Sequence, residues 1–246
     1  MRRNLLLTLR FVGTRYSGFQ VQQNALSVCE VFQDALERVV GKREPVKGCS
    51  RTDSGVHALG YCISLHTNSR VSCDKMPGAI NTYLPGDIAV SACRQVPDTF
   101  HARYSATGKE YIYKLHNSRG RDPFVTDLCY RFGYPLDVSV LHKEAQDFLG
   151  KHDFSAFMAA GSDVTDTVRT ITYFAVQRQG EFVNFIVRGD GFLYKMVRIM
   201  VGTLLWIGTG RLPSGCIPEI IRSRDRSKAG KTAPACGLYL SEVYYD

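Results

Sequence analysis

An arginine and a carboxylate stand two residues apart, as Arg51 and Asp53, in a segment of small residues and glycine. That segment reads Gly48-Cys49-Ser50-Arg51-Thr52-Asp53-Ser54-Gly55-Val56-His57-Ala58. Small residues and glycine are typical of a tight loop in which the backbone comes close to a ligand. The neighbouring arginine favours the ionised form of Asp53, and an ionised, oriented carboxylate can act as a nucleophile or a base. A surface loop with an ordinary Arg–Asp pair is the alternative, because such pairs are common and contribute little to stability.

Two further side chains, Tyr111 and Arg198, could assist such a carboxylate. Tyr111 lies in an alternating strand pattern, where its ring could stack on a nucleobase and its hydroxyl could exchange a proton. Arg198 stands inside an apolar helix, so its guanidinium must find an anion or reach solvent, and a pair with Asp53 would satisfy both charges. A core tyrosine and an arginine that extends to solvent from the edge of the core are the alternatives.

Other basic residues could contact an anionic substrate. Lys195 precedes Arg198 by three residues on the same predicted helix face and could reach a phosphate. His101 and Arg103 lie near a proposed domain boundary and could face RNA, although a structural histidine fits equally well. The basic segment 222–231 could bind phosphates, or it could be a solvated, mobile loop.

The composition favours a globular protein with a polyanionic partner. The chain has 246 residues, 44% hydrophobic residues and a net charge of +8 spread over both halves. The short apolar stretch after Arg2 and Arg3 is too brief for a signal peptide, so we expect a cytoplasmic protein. The eight cysteines show no C-x-x-C spacing, which predicts scattered reduced thiols rather than a zinc or redox site. Phosphate-binding, dinucleotide-binding and H-E-x-x-H motifs are absent from the sequence.

Hydrophobic periodicity predicts the elements that must position these residues. In the first half it predicts strands at 4–12, 56–66 and 87–96, a helix that runs from a Ser27–Glu30 capping box to Gly41, and a helix at 74–83. In the second half it predicts strands at 111–115, 171–177, 182–188 and 238–244, and helices at 138–149, 193–207 and 218–224. This order predicts an α+β fold with two domains, 1–106 and 107–246, each a mainly antiparallel sheet packed by helices.

The ordered motifs of the chain resemble those of the tRNA pseudouridine synthase A (TruA) family. The central motif is Arg51-Thr52-Asp53-x-Gly55-Val56-His57-Ala58. Others along the chain are Tyr16-Ser17-Gly18-Phe19-Gln20, Leu84-Pro85-Gly86-Asp87-Ile88, Phe100-His101-Ala102-Arg103, Lys109-x-Tyr111-x-Tyr113, Gly150-x-His152-Asp153-Phe154, Arg169-Thr170-Ile171, Met196-Val197-Arg198 and Thr232-Ala233-Pro234-Ala235-x-Gly237-Leu238. The resemblance spans nearly the whole chain, which makes it far more specific than one loop motif.

The resemblance implies that the enzyme isomerises uridine to pseudouridine at positions 38, 39 and 40 of the tRNA anticodon arm. It implies the pseudouridine synthase fold with an RNA cleft between the two halves, a homodimer, and no metal or organic cofactor. Carried over by motif, Asp53 is the catalytic carboxylate, Tyr111 packs against the target base and Arg198 pairs with Asp53. Arg51 helps to flip the nucleotide out of the stack.

Two residues of the loop depart from the family pattern. Ser50 stands where the family usually has glycine, and Ser54 where it usually has alanine. Both keep the position small, so we expect activity to survive.

Two other functions compete with that of an isomerase. They are a non-catalytic tRNA-binding protein or RNA chaperone, and an Asp-dependent hydrolase of free nucleosides.

Overall fold

The computed structural model describes residues 2–162 and 164–246. The chain divides into two compact units. Unit 1 comprises Met1–Thr107 and Leu240–Asp246, and unit 2 comprises Gly108–Tyr239. The division into domains 1–106 and 107–246 stays a prediction; the compact units differ from it in that residues 240–246 belong to unit 1.

Unit 1 is built on a sheet whose strand order is β4-β1-β3-β10. Its strands are β1 (Arg3–Phe11), β2 (Lys47–Gly48), β3 (His57–Thr67), β4 (Ile88–Val96) and β10 (Leu238–Tyr245), the last of which begins in unit 2. β1 pairs antiparallel with β3 and β4, and β2 pairs antiparallel with β3. Leucines at successive positions bury both faces of β1, which makes it a central strand of the core.

Of the two helices of this unit, α2 (Met76–Asn81) packs against β4 and α1 (Val28–Val40) packs against α2. The hydroxyl of Ser27 accepts a hydrogen bond from the Glu30 N–H at 3.2 Å, so it satisfies one of the N–H groups that a helix leaves unpaired at its start. Gly41 ends α1 in the left-handed conformation at φ 81°. The predicted cap residues of α1 are therefore confirmed at both ends.

In unit 2 the strands follow the order β5-β9-β8-β7. Its strands are β5 (Ala106–His116), β6 (Tyr130–Arg131), β7 (Gly150–Asp153), β8 (Val168–Gln179) and β9 (Phe182–Gly189). β9 pairs antiparallel with β5 and with β8, and β7 with β8, whereas the short β6 runs parallel to β5. The helices are α3 (Val138–Ala145), α4 (Met196–Gly208) and α5 (Ile217–Ser223), of which α3 packs against β8 and α4.

The predicted fold class is confirmed, since the strands of each unit pair mainly antiparallel and helices pack beside them. Two predicted helix boundaries in unit 2 are wrong. α4 begins at Met196 rather than 193, because Lys195 adopts a left-handed conformation with φ 58° that cannot continue a helix. The helix predicted at 138–149 ends at Ala145 and continues as a 3-10 turn, Gln146–Phe148, and Gly150 is already the first residue of β7. α2 is shorter than the predicted 74–83.

All eight cysteines are thiols rather than disulfides. Burial raises the pKa of the Cys29 thiol to about 11, as expected of a small core residue. Across residues 2–162 and 164–246, no helix combines the length and apolar character needed to cross a membrane.

Candidate active site

The Asp53 loop leads into β3 in unit 1 and is closed by a tight turn. The Val56 N–H donates to the Asp53 carbonyl at 3.2 Å, and Gly55 within the turn has φ 76°. Such a positive φ suits glycine, which explains its place two residues after the carboxylate. Within this loop Arg51 is exposed and Asp53 is half-buried.

A second family motif, around Tyr16 and Gly18, lies directly against this loop. The Tyr16 carbonyl accepts hydrogen bonds from the Gly55 N–H at 3.3 Å and the Ser54 Oγ at 3.2 Å. A Cβ atom on Gly18 would lie 2.4 Å from the Thr52 carbonyl oxygen. Only glycine leaves room for this approach, so the motif fixes the backbone on both sides of Asp53.

The start of the loop is held by aromatic side chains. Phe19 stacks on Tyr61 with ring centroids 4.1 Å apart, and the Tyr61 hydroxyl donates a hydrogen bond to the Ser50 carbonyl. Tyr61 is fully buried, so its hydroxyl needs this partner. Phe19 lies in one of the motifs quoted above, but its contact with Tyr61 could not be predicted, because with 13 Phe and 13 Tyr no residue type or spacing singles out Tyr61.

The two departures from the family pattern fit the loop without strain. Ser50 is not among the described residues with positive φ, so this position does not require glycine. Ser54 contributes the hydrogen bond to the Tyr16 carbonyl that alanine would lack.

A third motif, around Asp87, is joined to the same cluster. Its carboxylate accepts hydrogen bonds from the Tyr16 hydroxyl at 2.8 Å and the Arg15 Nε at 2.8 Å. Burial and the hydrogen bond to Asp87 raise the pKa of the Tyr16 phenol to about 12. His57 is fully buried, and its Nδ1 accepts from the Gly13 N–H at 3.0 Å, which leaves the proton of the neutral ring on Nε2. Unit 1 therefore brings three family motifs together around Asp53.

In unit 2, Tyr111 and Tyr113 lie on β5 and are both buried. The Tyr111 ring meets the ring of Phe192 edge to face, with centroids 5.0 Å apart. The Tyr113 hydroxyl donates to the Pro234 carbonyl at 2.8 Å, and burial raises the pKa of this phenol well above its usual value. Tyr111 keeps only 7% of its surface exposed, so little of its ring meets solvent.

Arg198 is linked to the Ala233 main chain by two hydrogen bonds. Its Nε donates to the Ala233 carbonyl at 2.7 Å, and the Ala233 N–H donates to the Arg198 carbonyl at 3.0 Å. This contact joins the Met196-Val197-Arg198 motif to the Thr232-Ala233-Pro234 motif. Because the backbone of residue 233 holds one side of the guanidinium, the orientation of Arg198 is fixed within unit 2.

A close backbone contact supports this arrangement one turn further along α4. A Cβ atom on Gly202 would lie 1.7 Å from the Lys231 carbonyl oxygen. The hydroxyl of the fully buried Thr203 accepts from the Gly230 N–H at 2.9 Å and donates to the Ile199 carbonyl at 2.8 Å. The segment before Ala233 is thus pressed against the helix that carries Arg198.

The other predicted basic residues occupy separate places. The Lys195 ammonium lies 4.6 Å from the centre of the Tyr194 ring, immediately before α4. His101 and Arg103 lie on a turn in unit 1, where Arg103 is exposed and His101 is half-buried. Burial lowers the pKa of His101, and the nearby Lys47 and Arg103 lower it further, which favours the neutral ring.

The basic segment 222–231 is held by specific contacts. Arg224 pairs with Asp153 at 3.0 Å, and the Arg226 guanidinium donates to the Thr232 hydroxyl at 3.3 Å. Asp225 caps a short 3-10 turn, Arg226–Lys228. The alternative of a mobile loop is therefore not favoured, and part of the charge serves to order the chain before Ala233. Within the described part of the chain, no three His, Cys, Asp or Glu side chains are grouped as metal ligands.

Comparison with known proteins bears on this arrangement. A family model described as "tRNA pseudouridine synthase" matches residues 8–105 and 145–246, the stretches that contain the Asp53 loop and the Arg198 helix. The chain belongs to this family. The tRNA pseudouridine synthase family consists of isomerases, so the prediction of an enzyme is confirmed, as is the resemblance on which it was based.

Individual relatives cover the chain from end to end. A protein named "tRNA pseudouridine synthase A" from Ruminiclostridium cellulolyticum is 46% identical over 244 residues, and one from Acetivibrio thermocellus is 44% identical over 243 residues. Each alignment covers 99% of this chain and 100% of the relative. Among solved structures, a chain in a Cbf5-Nop10-Gar1 complex has a TM-score of 0.40 and 13% identity over 96% of this chain and 48% of that one.

Proposed function

We propose that this pseudouridine synthase acts on uridines 38, 39 and 40 in the anticodon arm of tRNA, as a cytoplasmic homodimer. The family match and the relatives named "tRNA pseudouridine synthase A" support tRNA as the substrate. The target positions and the dimer come from the motif resemblance described above. The net charge of +8 agrees with a polyanionic substrate, whose phosphates it would attract.

Asp53 is the proposed catalytic carboxylate. Pseudouridine formation breaks the C–N glycosidic bond, turns the uracil and forms a C–C bond, so one oriented carboxylate can serve as nucleophile or base. Asp53 can attack C6 of the ring or C1′ of the sugar, or abstract a proton on a glycal route. The single observation that carries this role is the half-buried Asp53 on a turn whose backbone is held by Tyr16 and Gly18.

The remaining site residues receive supporting roles. Arg51, exposed on the same loop, helps to flip the target nucleotide, a step that costs a few kcal/mol. Tyr111 packs against the flipped base, and Arg198 pairs with Asp53. Lys195 contacts the substrate backbone. His101 and Arg103 also bind the substrate.

A tritium-release assay on tRNA transcribed with 5-tritiated uridine tests this function, since forming the new bond at C5 expels the label. We expect wild type to release tritium and Asp53→Asn to release none, while both bind tRNA. Asp34→Asn, an exposed carboxylate of α1, is the matched control and should retain full release. Tight tRNA binding without release by folded wild type would favour the competing non-catalytic RNA-binding protein.

A further inference from the structure

The residues 101–105 of unit 1 form a tight turn closed by its own hydrogen bonds. The Ser105 N–H donates to the His101 carbonyl at 2.9 Å, and the His101 N–H donates to the Ser105 Oγ at 3.1 Å. The Arg103 N–H donates to the His101 Nδ1 at 3.1 Å. These bonds give the turn one conformation before any ligand arrives, which reduces the entropic cost of binding.

The turn is anchored through Ala102, which is fully buried. Its N–H donates to the Ser64 Oγ at 3.0 Å, and its carbonyl accepts from the Tyr245 hydroxyl at 2.7 Å. With Ala102 held inside, the residues that follow it point outward. Tyr104 keeps 77% of its surface exposed, although a ring of this size is usually more buried.

The exposed Tyr104 ring is flanked by cationic and aromatic groups. The His101 ring centroid lies 4.4 Å from that of Tyr104, and the Arg103 guanidinium lies 5.7 Å from it. Lys47 pairs in register with Ser64, the residue that anchors the turn, so Lys47 belongs to the same face of the sheet. Within residues 2–162 and 164–246, neither Lys47 nor Arg103 takes part in an ion pair, so both charges are open to an anion.

Lys47 also borders an open cavity of about 410 Å³, a volume typical of small-ligand sites. Arg2 lines the same cavity, together with Lys42, which pairs with Glu44 at 3.3 Å, and His66, whose Nε2 lies 2.9 Å from an Asp98 carboxylate oxygen. Arg2 and Lys47 therefore extend the cationic surface from the turn along the edge of β2, which is the arrangement needed to follow a phosphate backbone past a stacked base.

We propose that Tyr104 is a stacking platform for an unpaired base of the tRNA substrate, with the adjoining phosphates held by Arg103 and Lys47. This goes beyond the catalytic roles and rests on the proposed function for the identity of the RNA. An exposed aromatic ring beside uncompensated cations is the recognition chemistry of single-stranded RNA, because every base offers a face to stack on. A duplex offers its phosphates but no open base.

Equilibrium binding of unmodified tRNA transcript at several salt concentrations tests this surface. Tyr104→Leu should weaken binding about tenfold at every salt concentration, and Tyr104→Phe should restore it, because stacking needs the ring and not the hydroxyl. Lys47→Met should lower the slope of log Kd against log salt by about 0.7 to 1, the value for one lost phosphate contact. Arg43→Met is the control, since Asp34 and Glu37 already neutralise Arg43.

A blunt RNA duplex separates stacking from charge. Lys47→Met should weaken binding of the duplex, whereas Tyr104→Leu should leave it unchanged. Unchanged tRNA affinity in both Tyr104→Leu and Lys47→Met, with both variants folded, would overturn the stacking platform and leave the isomerase activity standing. If the wild type forms no pseudouridine while Tyr104→Leu still loses tRNA binding, the proposed function is overturned and the stacking platform is supported.

Discussion

Arg198 and Ala233 hold each other through two hydrogen bonds, one from the Arg198 Nε and one from the Ala233 N–H. A helix side chain is thereby oriented by the backbone of a distant segment. A lysine could not reproduce this pair, because its single ammonium lacks the planar fork of a guanidinium. The geometry of this pair therefore depends on arginine rather than on positive charge alone.

We expect Arg198→Lys to lower turnover of tRNA about 100-fold, because the remaining charge is no longer held in place. Initial rates of pseudouridine formation at saturating tRNA measure this loss, and urea unfolding checks that the variant is folded. Arg222→Lys, an exposed arginine of α5, should keep its rate.

Gly18 tests how tightly the Asp53 loop must be held. Alanine there would meet the Thr52 carbonyl at 2.4 Å in addition to adopting φ 86°, so Gly18→Ala should displace the loop and lower turnover about 100-fold. Gly41→Ala is the matched control, since Gly41 has φ 81° and nothing within 4 Å of the added atom. It should cost about 1 to 2 kcal/mol of stability and leave turnover unchanged. Equal activity of the two variants would contradict a need for the close approach.

Gly202 tests the backbone contact between α4 and the segment before Ala233. A methyl group 1.7 Å from the Lys231 carbonyl oxygen cannot be accommodated, so Gly202→Ala should destabilise the protein by about 3 kcal/mol or more. Gly78→Ala in α2 adds its methyl group to open space and should stabilise by up to about 1 kcal/mol. Urea denaturation of both variants gives the comparison, and a mild effect at position 202 would show that the two segments can separate at low cost.

The contact between Tyr16 and Asp87 leads us to expect that the protein loses stability at alkaline pH. The pKa of the folded Tyr16 phenol is raised from 10.0 to about 12, mainly by burial and then by its hydrogen bond to Asp87. The folded state therefore holds this proton more tightly, and its stabilising effect is complete below pH 10.0 and is lost as pH rises through about 12. Urea unfolding at about pH 8 and about pH 11 should show a smaller decrease for Tyr16→Phe than for wild type. The stability of Tyr104→Phe, which changes an exposed ring, should decrease as much as that of wild type.

The sequence predicted those parts of the fold that have a regular pattern. Alternating apolar residues located β1, β3, β8 and β9, and the Ser27 and Gly41 caps located α1. The strands β2, β6 and β7 have two to four residues, which is too short for any periodicity to appear. The start of α4 could not be predicted, because the left-handed backbone conformation of Lys195 is imposed by the surrounding structure and not by its residue type.

The candidate site likewise contains residues that could be predicted from the sequence and residues that could not. Asp53, Tyr111 and Arg198 have side chains whose chemistry can be read from a sequence. Phe19 and Ala233 act through a ring stack and a main-chain carbonyl, which any residue of similar shape could supply. Both residues lie in motifs that the sequence shows, but their roles depend on neighbours far apart in the chain, so the motifs gave no indication of these contacts.

The position of β10 has a consequence for the order of folding. Unit 1 is discontinuous: its strand order β4-β1-β3-β10 needs residues 240–245, although its other strands lie before Gly108. During synthesis, the part of the β3 edge that pairs with β10 therefore stays unpaired while the whole of unit 2 is made. An exposed strand edge is a template for pairing with other chains. A nascent chain that stops after residue 107 should accordingly aggregate or bind chaperones, and the loop that holds Asp53 belongs to the part of the protein that is completed last.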